Sequence, residues 1–483
     1  MKQFKYEQLA NALKQKIDDN VWFVDEKLPS IRTLASTYCL AKISVQKALQ
    51  TLEARGVIYA KSKSGYYVAQ NNFSPSENVT RHKVALKNIK QPKLVDMPNV
   101  LIDIMQRSAA FDIAPQHQIT ANEKPSNHLV QLNRHIGREL RKNSQAHALY
   151  YADPTGDLTL REQICLHYRK RNVYLSPDDV CITAGCQNSL YLSLVTTCEP
   201  GDIVAIESPA FYGVLQLLQQ LKLKAVELPS SPTLGVSAST LEQALAKWPI
   251  KVCVLTPNYA TPTGATIPMS EKEAMVKLAS AHNITLIEDD IYGDLGFYQR
   301  TVPLKHFDVQ GSNPQENVIL CGSLSKSLSR DLRLGWIVSK KHHQAIVYHK
   351  LIHQLSSNQT IQNGVASFLA QGSYERHLDQ YRKTLLNQRD QLVNAIKSHW
   401  KLPTLFTVPD GGLALWITLD NKIDTLTLYH QAITKGIVIT PGRLFSNSNQ
   451  FQHQLRLSFA HPCNGHRLDA LKQLGQLIKH CMS

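Results

Sequence analysis

The stretch G-S-L-S-K-S-L-S-R-D-L-R-L-G-W, residues 322–336, sets one amine, Lys326, among hydroxyls, with Arg333 further along the same stretch. Its surroundings are too apolar for a solvated basic patch, and a buried strand does not hold an unpaired lysine. A lysine desolvated beside other cations loses its proton more readily and becomes a nucleophile. A carboxylate and a phenol, Asp289 and Tyr292, stand close together in E-D-D-I-Y-G-D, residues 288–294, and Arg456 lies in L-R-L-S-F-A, residues 455–460. Together these residues offer a nucleophile, groups that move protons and guanidinium forks that bind anions.

Each reactive segment follows a short apolar run. V-C-I-T (180–183) precedes A-G-C-Q-N, I-V-A-I (203–206) precedes E-S-P-A-F-Y-G, and V-C-V-L (252–255) precedes T-P-N-Y-A-T-P-T-G. T-L-I-E (285–288) leads into the acidic segment, and V-I-L (318–320) leads into the lysine stretch. Buried runs separated by amphipathic stretches predict a mainly parallel sheet covered on both faces by helices, whose functional loops lie at strand ends.

A chain of 483 residues is too long for one small core and predicts two or three units. Its 43% apolar and 19% charged residues are ordinary for a soluble globular protein. No apolar run approaches the roughly 20 residues of a membrane span, and M-K-Q-F-K is no signal peptide, so no membrane partner is expected. Nine scattered cysteines without a C-x-x-C pair argue against a metal site or disulfide scaffold and for a reducing cytoplasm. Of the net charge of +15, residues 1–70 carry +5 and residues 71–100 carry +3, which points to an anionic partner at that end.

In that basic end, Tyr6, Leu9, Ala10, Leu13 and Ile17 repeat at helical spacing, as do Ile31, Leu34, Ala35 and Tyr38, then Val45, Ala48, Leu49 and Leu52. Pro29 and Ser30 are read as the opening of the second helix, with proline in its first turn, and Gly56 as the cap closing the third. V-I-Y-A and Y-Y-V then flank K-S-K-S-G, a hairpin with a basic tip. Three short helices and a hairpin make a winged helix-turn-helix. The segments K-L-P-S-I-R-T-L-A, S-V-Q-K-A-L-Q-T-L-E-A-R-G and S-G-Y-Y-V resemble the GntR-type DNA-binding domain. The resemblance implies that Arg32, Lys42, Ser44, Gln46 and Lys47 face double-stranded DNA and that Gly65 lets the wing approach a minor groove. Lysines suit phosphates, while Arg32 and Gln46 also suit base edges. The chain departs from that family at Cys39, Ala41 and Lys42, where glycine, serine and arginine are usual. Residues 1–70 form this domain, 71–92 read as a polar linker, and 93–483 form the large unit.

The large unit resembles the fold-type I, pyridoxal 5′-phosphate (PLP)-dependent aminotransferases: a mainly parallel sheet in a three-layer α/β/α arrangement, with a smaller C-terminal α+β part. The resemblance implies that Lys326 holds PLP as an aldimine, and that Arg333, Ser323 and the backbone of Gly185, Cys186 and Gln187 bind its phosphate. It implies that Asp289 pairs with the pyridine nitrogen, Tyr292 donates to the phenolic oxygen and Phe211 stacks on the ring. It further implies that Tyr151 reaches the phosphate across a homodimer interface and that Arg456 grips a substrate or effector carboxylate. Where the family has asparagine, this chain has Thr261, whose shorter side chain is expected to fall short of the phenolic oxygen.

A GntR-type module fused to an aminotransferase-like unit resembles the MocR-type transcriptional regulators from end to end. The function this implies is a PLP-dependent, DNA-binding regulator that senses PLP or an amino-acid-like effector and binds an operator near its own gene. The alternatives are an active aminotransferase with an accessory DNA-binding domain and a PLP-binding protein without a DNA role.

Overall fold

In the computed structural model the described residues are 5–18, 22, 26–38, 40–54, 57–61, 64–68, 89–107, 127–142, 150–309, 316–400 and 404–482. The chain divides into two compact units, residues 1–86 and 87–483. Most of the expected linker, together with Cys39 and Gly56, lies outside the described residues.

The first unit holds α1 (Lys5–Asp18), α2 (Ile31–Thr37), α3 (Lys42–Ala54) and an antiparallel hairpin of β1 (Ile58–Lys61) and β2 (Gly65–Val68). The three periodic apolar sets meet in one core, joined by Ile58 and Val68 from the hairpin. Pro29 does not occupy the first turn of α2. Ser30 is the N-cap, its Oγ accepting from the Thr33 amide at 3.2 Å, and this hydroxyl satisfies an otherwise orphaned donor. Lys27 extends the hairpin by pairing with Tyr67.

In the second unit the strands are β3 (Lys93–Leu94), β4 (Val180–Thr183), β5 (Ile203–Ser208), β6 (Lys224–Pro229), β7 (Ile250–Leu255), β8 (Thr285–Asp289), β9 (Val318–Ser323) and β10 (Gly335–Val338). They form one sheet in the order β3-β6-β5-β7-β8-β9-β10-β4. The run from β6 to β9 is parallel, while β10 is antiparallel to both β9 and β4. Along β7, Val252 and Val254 face a core shared with helices Cys186–Thr197 and Tyr212–Gln220. Cys253 and Leu255 face the opposite core, closed by helices Ala238–Leu245 and Met269–Ala281. Both faces are therefore covered, which gives three layers. The C-terminal part adds β11 (Leu405–Phe406), β12 (Ala414–Thr418), β13 (Thr440–Pro441) and β14 (Gln454–Ser458), ordered β11-β12-β14-β13, with helices Ser373–His399, Thr425–Ile433 and Gly465–Met482 in the same core. Among the described residues no helix is long and apolar enough to cross a membrane, and no cluster of metal-ligating side chains occurs.

A buried polar network lies beneath the strand ends. Arg171 grips Asp290 with both terminal nitrogens, at 2.5 and 2.8 Å, and Tyr168 donates to the same carboxylate. His167 Nε2 lies 2.9 Å from Asp294, which also accepts from Tyr374; the Tyr374 hydroxyl in turn meets Ser327, the neighbour of Lys326, at 2.7 Å. Burial alone lowers the pKa of His167, but the charge and hydrogen bond of Asp294, with a further bond from Glu375, push it up to about 9.

A folded-state pKa above the unfolded value of 6.5 makes this group stabilising below pH 6.5, and that contribution is lost as pH rises to about 9. Urea unfolding is therefore expected to show a loss of up to about 3 kcal/mol over that window. A His167→Gln variant whose stability falls just as steeply across the same window contradicts this assignment.

Candidate functional site

The site is assembled by β10. Gly335 pairs with Ser323 on one side and Thr183 on the other, so the turn carrying Lys326 lies beside the turn after β4. A Cβ at Gly335 would stand 2.7 Å from the carbonyl carbon of Gly185, an approach that only glycine permits. Gly185 has φ +98° and caps helix Cys186–Thr197 without any side-chain hydrogen bond to its first amides. Those amides and the helix dipole make a ready place for an anion. Arg333 lies directly over it, its Nη2 donating to the Ala184 carbonyl at 3.0 Å, and a Cβ at Gly185 would meet that nitrogen at 2.8 Å.

At the end of β8, Asp289 is buried and accepts from the Cys186 thiol at 3.1 Å and from the Ile291 amide at 3.2 Å. Burial pushes its pKa up to about 6 against the lowering effect of those two donors. The Lys326 amine is lowered to about 7, first by burial, then by the charges of Arg330 and Arg456, with Asp289 opposing. A large fraction of this amine is therefore neutral near pH 7, when a free lysine is almost wholly protonated. Tyr292 is buried, which raises its pKa, while a hydrogen bond from Thr261 lowers it. Thr261 lies beside this phenol, lining the same cleft. Arg456 is no edge charge. It lies on β14 between β12 and β13, is 7% exposed, and lines a cleft with Thr261, Tyr292, Gly264 and Ala414.

The remaining expected residues are placed less uniformly. Gln187 holds the Gly213 carbonyl with its side chain, and Phe211 opens helix Tyr212–Gln220 nearby. The Ser323 hydroxyl, expected on a phosphate, lies 2.8 Å from the Leu334 carbonyl and within reach of Ser325, so it braces the lysine turn. Tyr151 stands apart from the cluster: it is 78% exposed. Sequence reasoning missed β10, the Cys186–Asp289 bond and Arg330. Only the alternation of β10 against two non-consecutive strands reveals the first, and the other two depend on distances between separate segments.

In the first unit Arg32, Lys42, Gln46, Lys47 and Gly65 are exposed and Ser44 is half-exposed. Lys47 lies over the Tyr6 ring at 4.2 Å, and the hairpin's Lys61 over Tyr67 at 4.4 Å. Ile43, also missed, is 80% exposed beside Lys42 at the start of α3, where an apolar side chain suits a thymine methyl.

Residues 118–467 match the family described as aminotransferase class I and II, and residues 5–68 match bacterial regulatory proteins of the gntR family. The HTH-type transcriptional regulator YjiR of Escherichia coli is 33% identical over 99% of this chain and 99% of its own length. The regulator YdcR of the same organism is 32% identical over 98% of this chain and 99% of its own. The chain belongs to the MocR-type transcriptional regulators. Among solved structures, this MocR-type chain resembles Pyrococcus horikoshii kynurenine aminotransferase at 26% identity, with TM-score 0.70, over 85% of this chain and all (100%) of that one. An α-aminoadipate aminotransferase from Thermus thermophilus shares the fold, at TM-score 0.70 and 22% identity over 80% of this chain and 95% of its own.

For this MocR-type regulator, Arg32→Ala is expected to weaken DNA binding by about 1–3 kcal/mol without altering the circular dichroism spectrum. Lys42→Ala is expected to weaken binding to all sequences alike and to lower the salt slope by about 1, measured by fluorescence anisotropy at several salt concentrations. Unchanged affinity in both variants would move the DNA-binding face elsewhere.

Proposed function

We propose that PLP is bound covalently at Lys326 and that an amino-acid-like effector, by displacing that lysine, alters the regulator's affinity for DNA. The observation that carries this reading is the Lys326 amine lowered to about 7 beside the cradle of Gly185 and Arg333. The donor set fits the cofactor. An uncapped helix start, a guanidinium and a glycine leave room for a phosphate where any larger residue would intrude. Bound there, PLP supplies an electrophilic carbon for amines and a ring that accepts negative charge. Asp289, held ionised by a ring N–H⁺, keeps that nitrogen protonated. Tyr292 donates to the phenolic oxygen, supported by Thr261. Phe211 covers the ring, and Cys186 orients the Asp289 carboxylate through its thiol. Arg456 takes the effector's α-carboxylate.

Tyr151 gains a role only if a second copy presents it, so the active form is a homodimer in which each site draws on both chains. The operator is double-stranded DNA near the protein's own gene, and the protein works in the cytoplasm beside it. A working aminotransferase is the second reading, and the near-neutral Lys326 amine, able to take and return a proton, favours it.

Purified protein is expected to be yellow, and borohydride should fix the cofactor on Lys326, identified by peptide mass. Lys326→Ala protein retaining the same visible band would refute the assignment. DNA titrations at one fixed salt concentration, with and without PLP and amino acids, are expected to differ by about 1–3 kcal/mol, with the reciprocal shift in effector affinity. Equal DNA affinity in every state, together with rapid multiple-turnover transamination, would leave the enzyme reading alone. Sedimentation should show a dimer, and a PLP-loaded monomer would remove the role of Tyr151.

A further inference from the structure

Helix α3 has two sides of opposite character. Val45, Ala48, Leu49 and Leu52 enter the core of the first unit, while Lys42, Ile43, Gln46, Lys47 and Gln50 are exposed. Among those exposed side chains Ile43 alone is apolar, and it is 80% exposed. A single exposed isoleucine is ordinary on a protein surface and argues nothing by itself. Its neighbours make this one informative. Lys42 precedes it, Gln46 follows one turn later, and Lys47 lies on the flank toward α1, over the Tyr6 ring at 4.2 Å. Glu53, the acid of this helix, is turned to the hairpin and accepts from the Ala60 amide at 3.2 Å. The outer side of α3 therefore carries cations, amide side chains and one branched hydrocarbon, with no exposed carboxylate among them.

That set matches the DNA major groove, where phosphates flank base edges and thymine alone projects a methyl group. A docked protein would call for a contiguous apolar patch, and here the neighbours of Ile43 are polar. Glutamine suits the N6 and N7 edge of adenine. Ile43 and Gln46 are three residues apart, about 4.5 Å along the helix axis, and successive base pairs are about 3.4 Å apart. One helix lying in the groove thus sets the two side chains over base pairs that are adjacent or next but one. The β-branched side chain also has one strongly preferred rotamer in a helix, so it loses little freedom on contact. We infer that Ile43 is a specificity-determining residue, packing on the 5-methyl group of an operator thymine one or two base pairs from an adenine held by Gln46. This rests on the reading of α3 as the helix that meets DNA.

The test begins with a duplex selected by the full-length protein from a random pool. Each thymine of that duplex is then replaced in turn by deoxyuridine, which removes the 5-methyl group alone. Replacement at one position of a half-site is expected to weaken binding about fourfold, the worth of one buried methyl group, in fluorescence anisotropy at fixed salt. 5-Bromodeoxyuridine at that position should restore affinity, because bromine fills the volume of the methyl. Ile43→Ala, confirmed folded by circular dichroism, should bind the thymine and deoxyuridine duplexes equally, and Ile43→Val should keep part of the difference. Both variants should keep the salt slope, since no charge is removed. Deoxyuridine tolerated at every position, while Lys42→Ala still weakens binding, overturns the inference and leaves α3 as the DNA-facing helix. Ile43→Ala that keeps the full sensitivity to deoxyuridine also overturns it, because the methyl then acts through duplex shape or another residue. Ile43→Ala that changes the sedimentation of the protein and not its response to deoxyuridine assigns the residue to a protein contact and overturns it too. Selection of no sequence, or full affinity in both Lys42→Ala and Ile43→Ala, removes the reading of α3 and this inference with it.

Discussion

The bidentate pair of Arg171 and Asp290 is the interaction on which the large unit's site depends. Both side chains are buried, and a charge in that position is tolerable only when paired and hydrogen-bonded. Pairing therefore fixes the backbone just beyond β8. Asp290 points back toward Arg171, Tyr168 and Asn258, while its neighbour Asp289 points toward Cys186 at the start of the helix after β4. One carboxylate anchors the strand end so that the other can face the site.

The same logic holds for the lysine turn. Ser327 is held by Tyr374 and by His377, whose Nε2 meets the Ser327 carbonyl at 2.7 Å, so the residue beside Lys326 is fixed from the interior. The amine is then presented to a site where cations outnumber anions, and its proton is weakly held. Asp289 is shifted in the opposite sense by burial, and Thr261 and Cys186 each donate a hydrogen bond that tempers a burial effect.

A regulator needs its two functions to share free energy, and that sharing runs equally in both directions. The helix-turn-helix unit has a core of its own, made from α1, α2, α3 and the hairpin, and an exposed row of lysine, glutamine, serine and isoleucine along the start of α3. The large unit has a lysine amine whose proton is weakly held. The physical requirement for regulation is that ligand binding in the second changes the population of the states in which the first meets DNA.

Much of this was legible in the residues. The periodic apolar sets of the first unit all entered one core because helical amphipathicity is a local property. The five apolar runs all became strands of one sheet, because a run buried on both faces admits few other solutions. Motifs singled out Lys326, Asp289, Arg333 and Arg456, each by its local order of residues. Strand order was not legible: β4, early in the chain, lies at the sheet edge beside β10, a pairing set by burial of distant residues. Nor was the helix cap at Ser30, since proline and serine both favour a helix start and only the hydrogen bond chooses between them. Amino-acid sequence alone determined the element types, the separation into units and which side chains could do chemistry, because these follow from periodicity and side-chain chemistry. Tertiary structure alone decided that Cys186 would meet Asp289 and that Thr261 would line one cleft with Tyr292 and Arg456. Those relations are distances between segments far apart in the chain, and distance, with the exclusion of water, is what sets a charge's effect.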